Sequence, residues 1–193
     1  MAPESKTPEP SFYAGEDVNV KDSLREFKKI RTITTAAMLI AIAVILSFLT
    51  ITVSEFLKIG LSFLPKELMA ALFGPFIGMA GGGITDVIQY AIKPTGPYFF
   101  GWTFNAMLIG FVYGLFLYKK PVQIWRVFAA NGVELLVNIF LTTWYLTILY
   151  GSSYMAIFPL RAVKNLIQYP INVILFYTLW MIVDRQHLFK EKS

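Results

Sequence analysis

Residues 32–54 read TITTAAMLIAIAVILSFLTITVS, a run with no charged side chain between Arg31 and Glu55. A helix rises 1.5 Å per residue, so about 20 mostly apolar residues cross the hydrocarbon core of a bilayer. Working outward, the same silence recurs between Glu67 and Asp86, between Lys93 and Lys119, and between Lys164 and Asp184. Lipid offers no partner to backbone N–H and C=O groups, so such runs are expected as helices that satisfy their own backbone.

Composition agrees: 56% of the 193 residues are hydrophobic, and the mean hydropathy is +0.58. A net charge of +5 raises the question of nucleic acid. The basic residues form no stripe or patch, however, and sit beside the apolar runs, where membrane proteins place them to set orientation. No nucleic-acid partner is expected. Cysteine is absent, which removes a disulfide framework, a thiolate nucleophile and any Cys-based metal site. The opening Met1 to Pro10 mixes Glu4, Lys6 and Glu9 with prolines, unlike the basic start of a signal peptide.

Six spans are expected, at about 32–53, 63–73, 76–92, 102–118, 122–149 and 158–184. The second is short and carries Pro65 in its first turn, and Gly74-Pro75 breaks it from the third. Residues 1–27 are expected as a largely disordered tail, 28–186 as the membrane domain and 187–193 as a second tail. Within 21–31, Leu24, Phe27 and Ile30 lie apart from Lys21, Arg25, Lys28 and Lys29, which suits either an interfacial helix or a plain basic flank. Lys28, Lys29 and Arg31, then Lys119, Lys120 and Arg126, then Arg185, Lys190 and Lys192 all fall on one side of a six-span bundle. Cytoplasmic loops are enriched in Lys and Arg, so both termini are expected in the cytoplasm. The fold expected is an all-α integral membrane protein, a six-transmembrane-helix bundle. Its outer connections, residues 54–62, 93–101 and 150–157, are rich in Gly, Pro and aromatics.

Small residues recur at four-residue spacing in three spans. Gly74, Gly78 and Gly82 make one helix face nearly bare, and the stripe continues to Asp86 and Tyr90 with Gln89 adjacent. Close helix packing is one reading; a pocket floor between helices is the other. Ala37 and Ala41 suit either internal packing or a docking surface for a second membrane protein, and Gly110 with Gly114 is assigned to internal packing.

Ionisable groups inside a membrane are costly and usually face a cavity or a partner. The candidates are Lys66, Glu67, Asp86, Glu134, Arg161 and Lys164. Arg161 and Lys164 are three apart and share a face of the last helix. They either snorkel to headgroups or bind an anion, for which an Arg fork offers two parallel hydrogen bonds to a carboxylate. Tyr98, Phe99, Phe100 and Trp102, and further on Trp144, Tyr145 and Tyr150, form either an interfacial belt or stacking faces for a flat ring. Asn105 lies three beyond Trp102 and Asn138 four beyond Glu134, and such amides and carboxylates beside aromatic faces can read ring nitrogens and amino groups. The single histidine, His187, sits in the C-terminal tail, and there is no Walker sequence, H-E-x-x-H pair or G-x-S-x-G elbow. Neither catalysis nor a metal or cofactor is expected, and the chain cannot be an ATP-driven motor by itself.

Several motifs, in order, resemble the S components of energy-coupling factor (ECF) transporters. They are Phe63-Leu64-Pro65, Leu72-Phe73-Gly74-Pro75-Phe76-Ile77-Gly78, Gly82-Gly83-Ile84-Thr85-Asp86 and Phe99-Phe100-Gly101-Trp102-Thr103-Phe104-Asn105 running into Gly110-Phe111-Val112-Tyr113-Gly114. The likeness covers about residues 30–186. Leu141-Thr142-Thr143-Trp144-Tyr145-Leu146, Leu149-Tyr150-Gly151 and Phe158-Pro159-Leu160-Arg161, with Lys164 and Pro170, are similar to the folate-specific members. The resemblance implies a six-helix protein of the cell membrane that captures a vitamin from outside and is not an enzyme. It implies as partners a transmembrane coupling subunit and two ATP-binding subunits, with Ala37 and Ala41 on the contact with the coupling subunit. Folate is a flat pterin joined to an aromatic ring and a glutamate. Trp102, Tyr98, Phe99, Asn105, Asp86, Gln89, Arg161 and Lys164 are the expected ligand-binding set, with Arg161 and Lys164 placed on an anionic part of the ligand. Another vitamin such as pantothenate or riboflavin, a lipid-modifying enzyme using Asp86 and Glu134, and a non-transporting membrane adaptor with purely structural polar residues are the competing readings.

Overall fold

A computed structural model describes residues 27–49, 51–54, 57–94, 96–121, 123–151 and 154–185. The expected tails, and most of the proposed interfacial segment, lie outside the described residues. Six helices and one hairpin make up the described chain: α1 Ile30–Phe48, β1 Ile51–Ser54, β2 Leu57–Ile59, α2 Phe63–Phe73, α3 Pro75–Ile92, α4 Phe100–Leu117, α5 Ile124–Tyr150 and α6 Tyr154–Arg185. Four of them, α1, α4, α5 and α6, are long and apolar enough to cross a membrane.

The other two helices differ for separate reasons. α2 has 11 residues, about 16 Å of rise, too short to cross alone. It is wrapped by protein instead: Glu67, Leu68, Met69, Ala70 and Phe73 are all buried. α3 has the length, but its glycines, Asp86 and Gln89 dilute its apolar character. Gly74, at φ 96° and ψ 176°, turns the chain between them in a conformation closed to other residues, and Pro75 then opens α3 at its first turn.

One expectation is corrected. The first span does not run unbroken to residue 53; α1 stops at Phe48, and Ile51–Ser54 pairs antiparallel with Leu57–Ile59, Ile51 opposite Ile59 and Thr52 opposite Lys58. Ile51, Thr52 and Val53 are all β-branched, and that shape fits a pleated strand better than a helix.

Close backbone approach explains the small-residue stripes. A Cβ placed on Gly78 would lie 2.5 Å from both the Ala70 Cβ and the Gly110 carbonyl oxygen. One on Gly110 would strike the Gly78 carbonyl, one on Gly82 the Ala106 carbonyl, and one on Gly114 the backbone of Pro75. The glycines therefore bring α3 against α4 and α2, as small residues do where helices meet in lipid. Toward the far end of the bundle, Tyr113, Leu117, Val127, Val173, Phe176 and Trp180 close the core. Tyr113 meets Phe176 edge-on at 5.6 Å.

Candidate functional site

A cavity of about 420 Å³ opens between α3, α4, α5 and α6, within the size range of small-molecule sites. Its rim is formed by Gly60 and Ser62 after the hairpin and by Lys93, Pro97 and Tyr98 between α3 and α4. Two helices supply most of the wall. α5 contributes Asn131, Glu134, Asn138 and Thr142, and α6 contributes Arg161, Lys164, Asn165, Gln168 and Asn172. Their spacings of three, four and seven place each set on one helix face. Two long, otherwise apolar helices thus turn polar stripes toward one another, where lipid cannot reach them.

The structure distributes the expected site residues as follows. Asp86, Gln89, Tyr98, Trp102, Arg161 and Lys164 all line the cavity. Tyr98 donates to the Thr103 hydroxyl (2.8 Å), because Thr103 spends its one proton on Asp86 Oδ2, also at 2.8 Å. Gln89 donates its amide to the Ala43 carbonyl at 2.9 Å, which ties α3 to α1. Trp102 meets Tyr145 edge-on with centroids 6.2 Å apart. Arg161 is only 8% exposed, so it does not snorkel outward.

Phe99 and Asn105 are not on the cavity wall. The Phe99 ring packs on Tyr145 at 5.2 Å. Asn105, 5% exposed, lies behind the wall and donates to the Thr142 hydroxyl at 2.9 Å. Thr142 donates to Asn138 Oδ1 at 3.4 Å, and Asn138 Nδ2 donates to Glu134 Oε1 at 3.5 Å. From the opposite side the Tyr113 hydroxyl donates to Glu134 Oε2 at 2.8 Å. A chain of donors therefore converges on Glu134, whose carboxylate faces the cavity.

Wall residues missed from sequence are Asn131, Thr142, Asn165, Gln168, Tyr169 and Asn172. A period of three to four among the Asn, Gln and Thr positions of α5 and α6 was the available signal. Charged and aromatic residues draw the eye first, and neutral amides do not interrupt a charge-free run.

Away from the cavity, Ala37 and Ala41 lie exposed on α1, beside Met38 and Ile45, whereas Ala36 and Ala43 are buried. The exposed pair takes no part in the packing among the described helices. Trp144 is also 60% exposed, as an interfacial anchor would be. Among the described residues no cluster of His, Cys, Asp and Glu could hold a metal ion.

The family pattern described as "ECF transporter, substrate-specific component" matches residues 31–180. The chain belongs to that family. A folate transporter, FolT, of Clostridium novyi is 34% identical over 166 residues, covering 85% of this chain and 96% of the relative. The FolT of Leuconostoc mesenteroides is 36% identical over 150 residues, covering 74% of this chain and 80% of the relative. Among solved structures, a crystal structure of FolT bound with folic acid superposes with a TM-score of 0.73 at 36% identity, covering 78% of this chain and 93% of that one. As an ECF substrate-specific component the chain is part of a transporter and not an enzyme, and its apolar helices are those of a membrane protein.

Proposed function

We propose that this substrate-specific component captures folate at the outer face of the cell membrane and hands it inward with an ECF module. The carrying observation is the polarity of the cavity. Arg161 and Lys164 stand together on one wall, Trp102 and the Tyr98–Thr103–Asp86 chain occupy another, and Glu134 ends a chain of donors. Folate needs cations for its glutamate, an aromatic face for its rings and acceptors for its amino and ring N–H groups. The likeness to folic-acid-bound FolT supports the same cargo.

In this reading all six helices form the membrane domain, with α2 and α3 lying within it, and both termini face the cytoplasm. The Lys and Arg clusters at residues 28–31, 119–126 and 185–192 support that orientation. The cavity rim then faces outward. Ala37 and Ala41 form the contact with the transmembrane coupling subunit, which their exposure leaves available, and ATP hydrolysis belongs to two ATP-binding partner subunits. The purified chain should be protected from thermal unfolding in detergent by folate, and riboflavin should leave the transition where it is. Equal protection by both vitamins, or by neither, would contradict the folate assignment.

A further inference from the structure

A second carboxyl group stands behind the cavity wall. Glu67, on the short helix α2, is 2% exposed and does not line the cavity. Neither of its oxygens has a hydrogen-bonding partner among the described residues. Lys66 precedes it on α2, but successive residues of a helix do not face each other. An ionised group without a partner is among the costliest things to bury. Glu67 must therefore either be neutral or receive a donor from its surroundings.

Its neighbours have no donor to spare. α2 packs Leu68, Ala70 and Ala71 into the same core cluster as Tyr113 of α4, and Glu67 lies beside the Tyr113 hydroxyl and Glu134 of α5. Tyr113 has a single proton, and it goes to Glu134 Oε2 at 2.8 Å. What remains toward Glu67 is the phenol oxygen, an acceptor, and Glu134, which as a carboxylate only accepts. Two carboxyl groups that share a site do not both ionise. Glu134 is the one equipped to hold the charge: it receives Tyr113 and Asn138, and Lys164 attends it from α6 with Arg161 beyond. Glu67 has none of these.

We infer that Glu67 carries a proton at neutral pH and donates it to the Tyr113–Glu134 pair, acting as a positioning residue for the carboxylate on the cavity wall. Its contribution is complete while the acid holds that proton and is lost as rising pH removes it. Two carboxylates would then face the Tyr113 hydroxyl, and the added negative charge would compete with an anionic ligand for Lys164. The effect on folate affinity rests on the folate reading above; the proton on Glu67 does not.

Infrared spectra and calorimetric titrations of the full chain in detergent test it. Exposed carboxyl groups are ionised near neutral pH. Wild-type protein without ligand should therefore show the carbonyl stretch of a buried carboxylic acid, and Glu67→Gln should remove it. Glutamine is neutral and keeps an N–H donor. Glu67→Gln should bind folate within about threefold of the wild type at about pH 7, whereas Glu67→Ala should lose about tenfold. Between about pH 7 and about pH 9 the wild type should lose about tenfold more affinity than Glu67→Gln, since titration of Lys164 and of the ligand is common to both. No acid band in the wild type, a band that survives Glu67→Gln, or one pH curve for both proteins would overturn the inference. If Glu67→Gln does not fold, Glu134→Gln decides: a retained band supports the assignment to Glu67, and a lost band overturns it. Folded wild-type protein that binds no folate at either pH would remove the folate reading and leave the acid band to judge Glu67.

Discussion

The Asn105 amide donates to the Thr142 hydroxyl across 2.9 Å, joining α4 to α5 immediately behind the cavity wall. Interhelical hydrogen bonds inside membrane proteins contribute about 0.6 kcal/mol on average, up to about 1.7. Asn105→Ala should therefore lower stability in detergent by about 1 kcal/mol. Because Asn105 does not touch the cavity, its effect on folate affinity should be smaller than that of Arg161→Ala. Thermal unfolding paired with calorimetry checks both parts. An affinity loss matching that of the cation variant would place Asn105 on the ligand.

The α3–α4 contact should be the least tolerant place in the membrane domain. Gly110 faces the Gly78 carbonyl so closely that even a methyl group collides with backbone, whereas a methyl on Gly132 would find only the Tyr169 hydroxyl at 3.8 Å. Overpacking typically costs 1–3 kcal/mol. Gly110→Val is expected at or beyond about 3 kcal/mol, since the obstruction is backbone and cannot rotate away. Gly132→Ala should be neutral or mildly stabilising, helped by the better helix propensity of alanine. Unfolding temperatures of the two variants, side by side, decide the matter.

Ala37 and Ala41 are exposed in the isolated chain, so enlarging them should not disturb the cavity. Ala37→Leu with Ala41→Leu is expected to leave folate binding by the purified protein unchanged and to abolish folate uptake when the partner subunits are co-expressed. Retained uptake would remove this face of α1 from the coupling contact.

Tyr113 offers a test of the Glu134 side of the cavity. Tyr113→Phe keeps the ring packed on Phe176 and deletes the hydroxyl that holds Glu134 at 2.8 Å. A hydrogen bond contributes about 0.5–1.5 kcal/mol net. Only part of that should appear in ligand affinity, because Asn138 still restrains the carboxylate. An affinity loss of up to about tenfold for folate is expected, read by calorimetric titration.

Much of the architecture was legible because charge is so costly in lipid. The charge-free runs fell on α1, α4 and the second half of α6, and Gly74-Pro75 marked the turn between α2 and α3. The hairpin at residues 51–59 escaped notice because Ile51, Thr52 and Val53 are apolar enough to extend a membrane span on hydropathy alone; only their branching at Cβ distinguishes them. At the cavity, periodicity shows which residues share a helix face without showing which neighbour covers that face. Trp102 reaches the cavity, whereas Asn105, three residues on, meets Thr142, and Phe99, three before, meets Tyr145. Glu134 stood out as a charge, but its donors come from α4 and α5 together. No single segment contains that convergence.

The central claim is that the Arg161 and Lys164 wall of this cavity binds the anionic end of folate. Calorimetric titration of folate into wild-type protein and into an Arg161→Ala/Lys164→Ala double variant tests it most directly. Tight binding by the wild type, reduced by at least about 100-fold in the variant, is predicted from the loss of two charge-assisted contacts. Folate binding of equal strength in both proteins, each confirmed as folded, would contradict it.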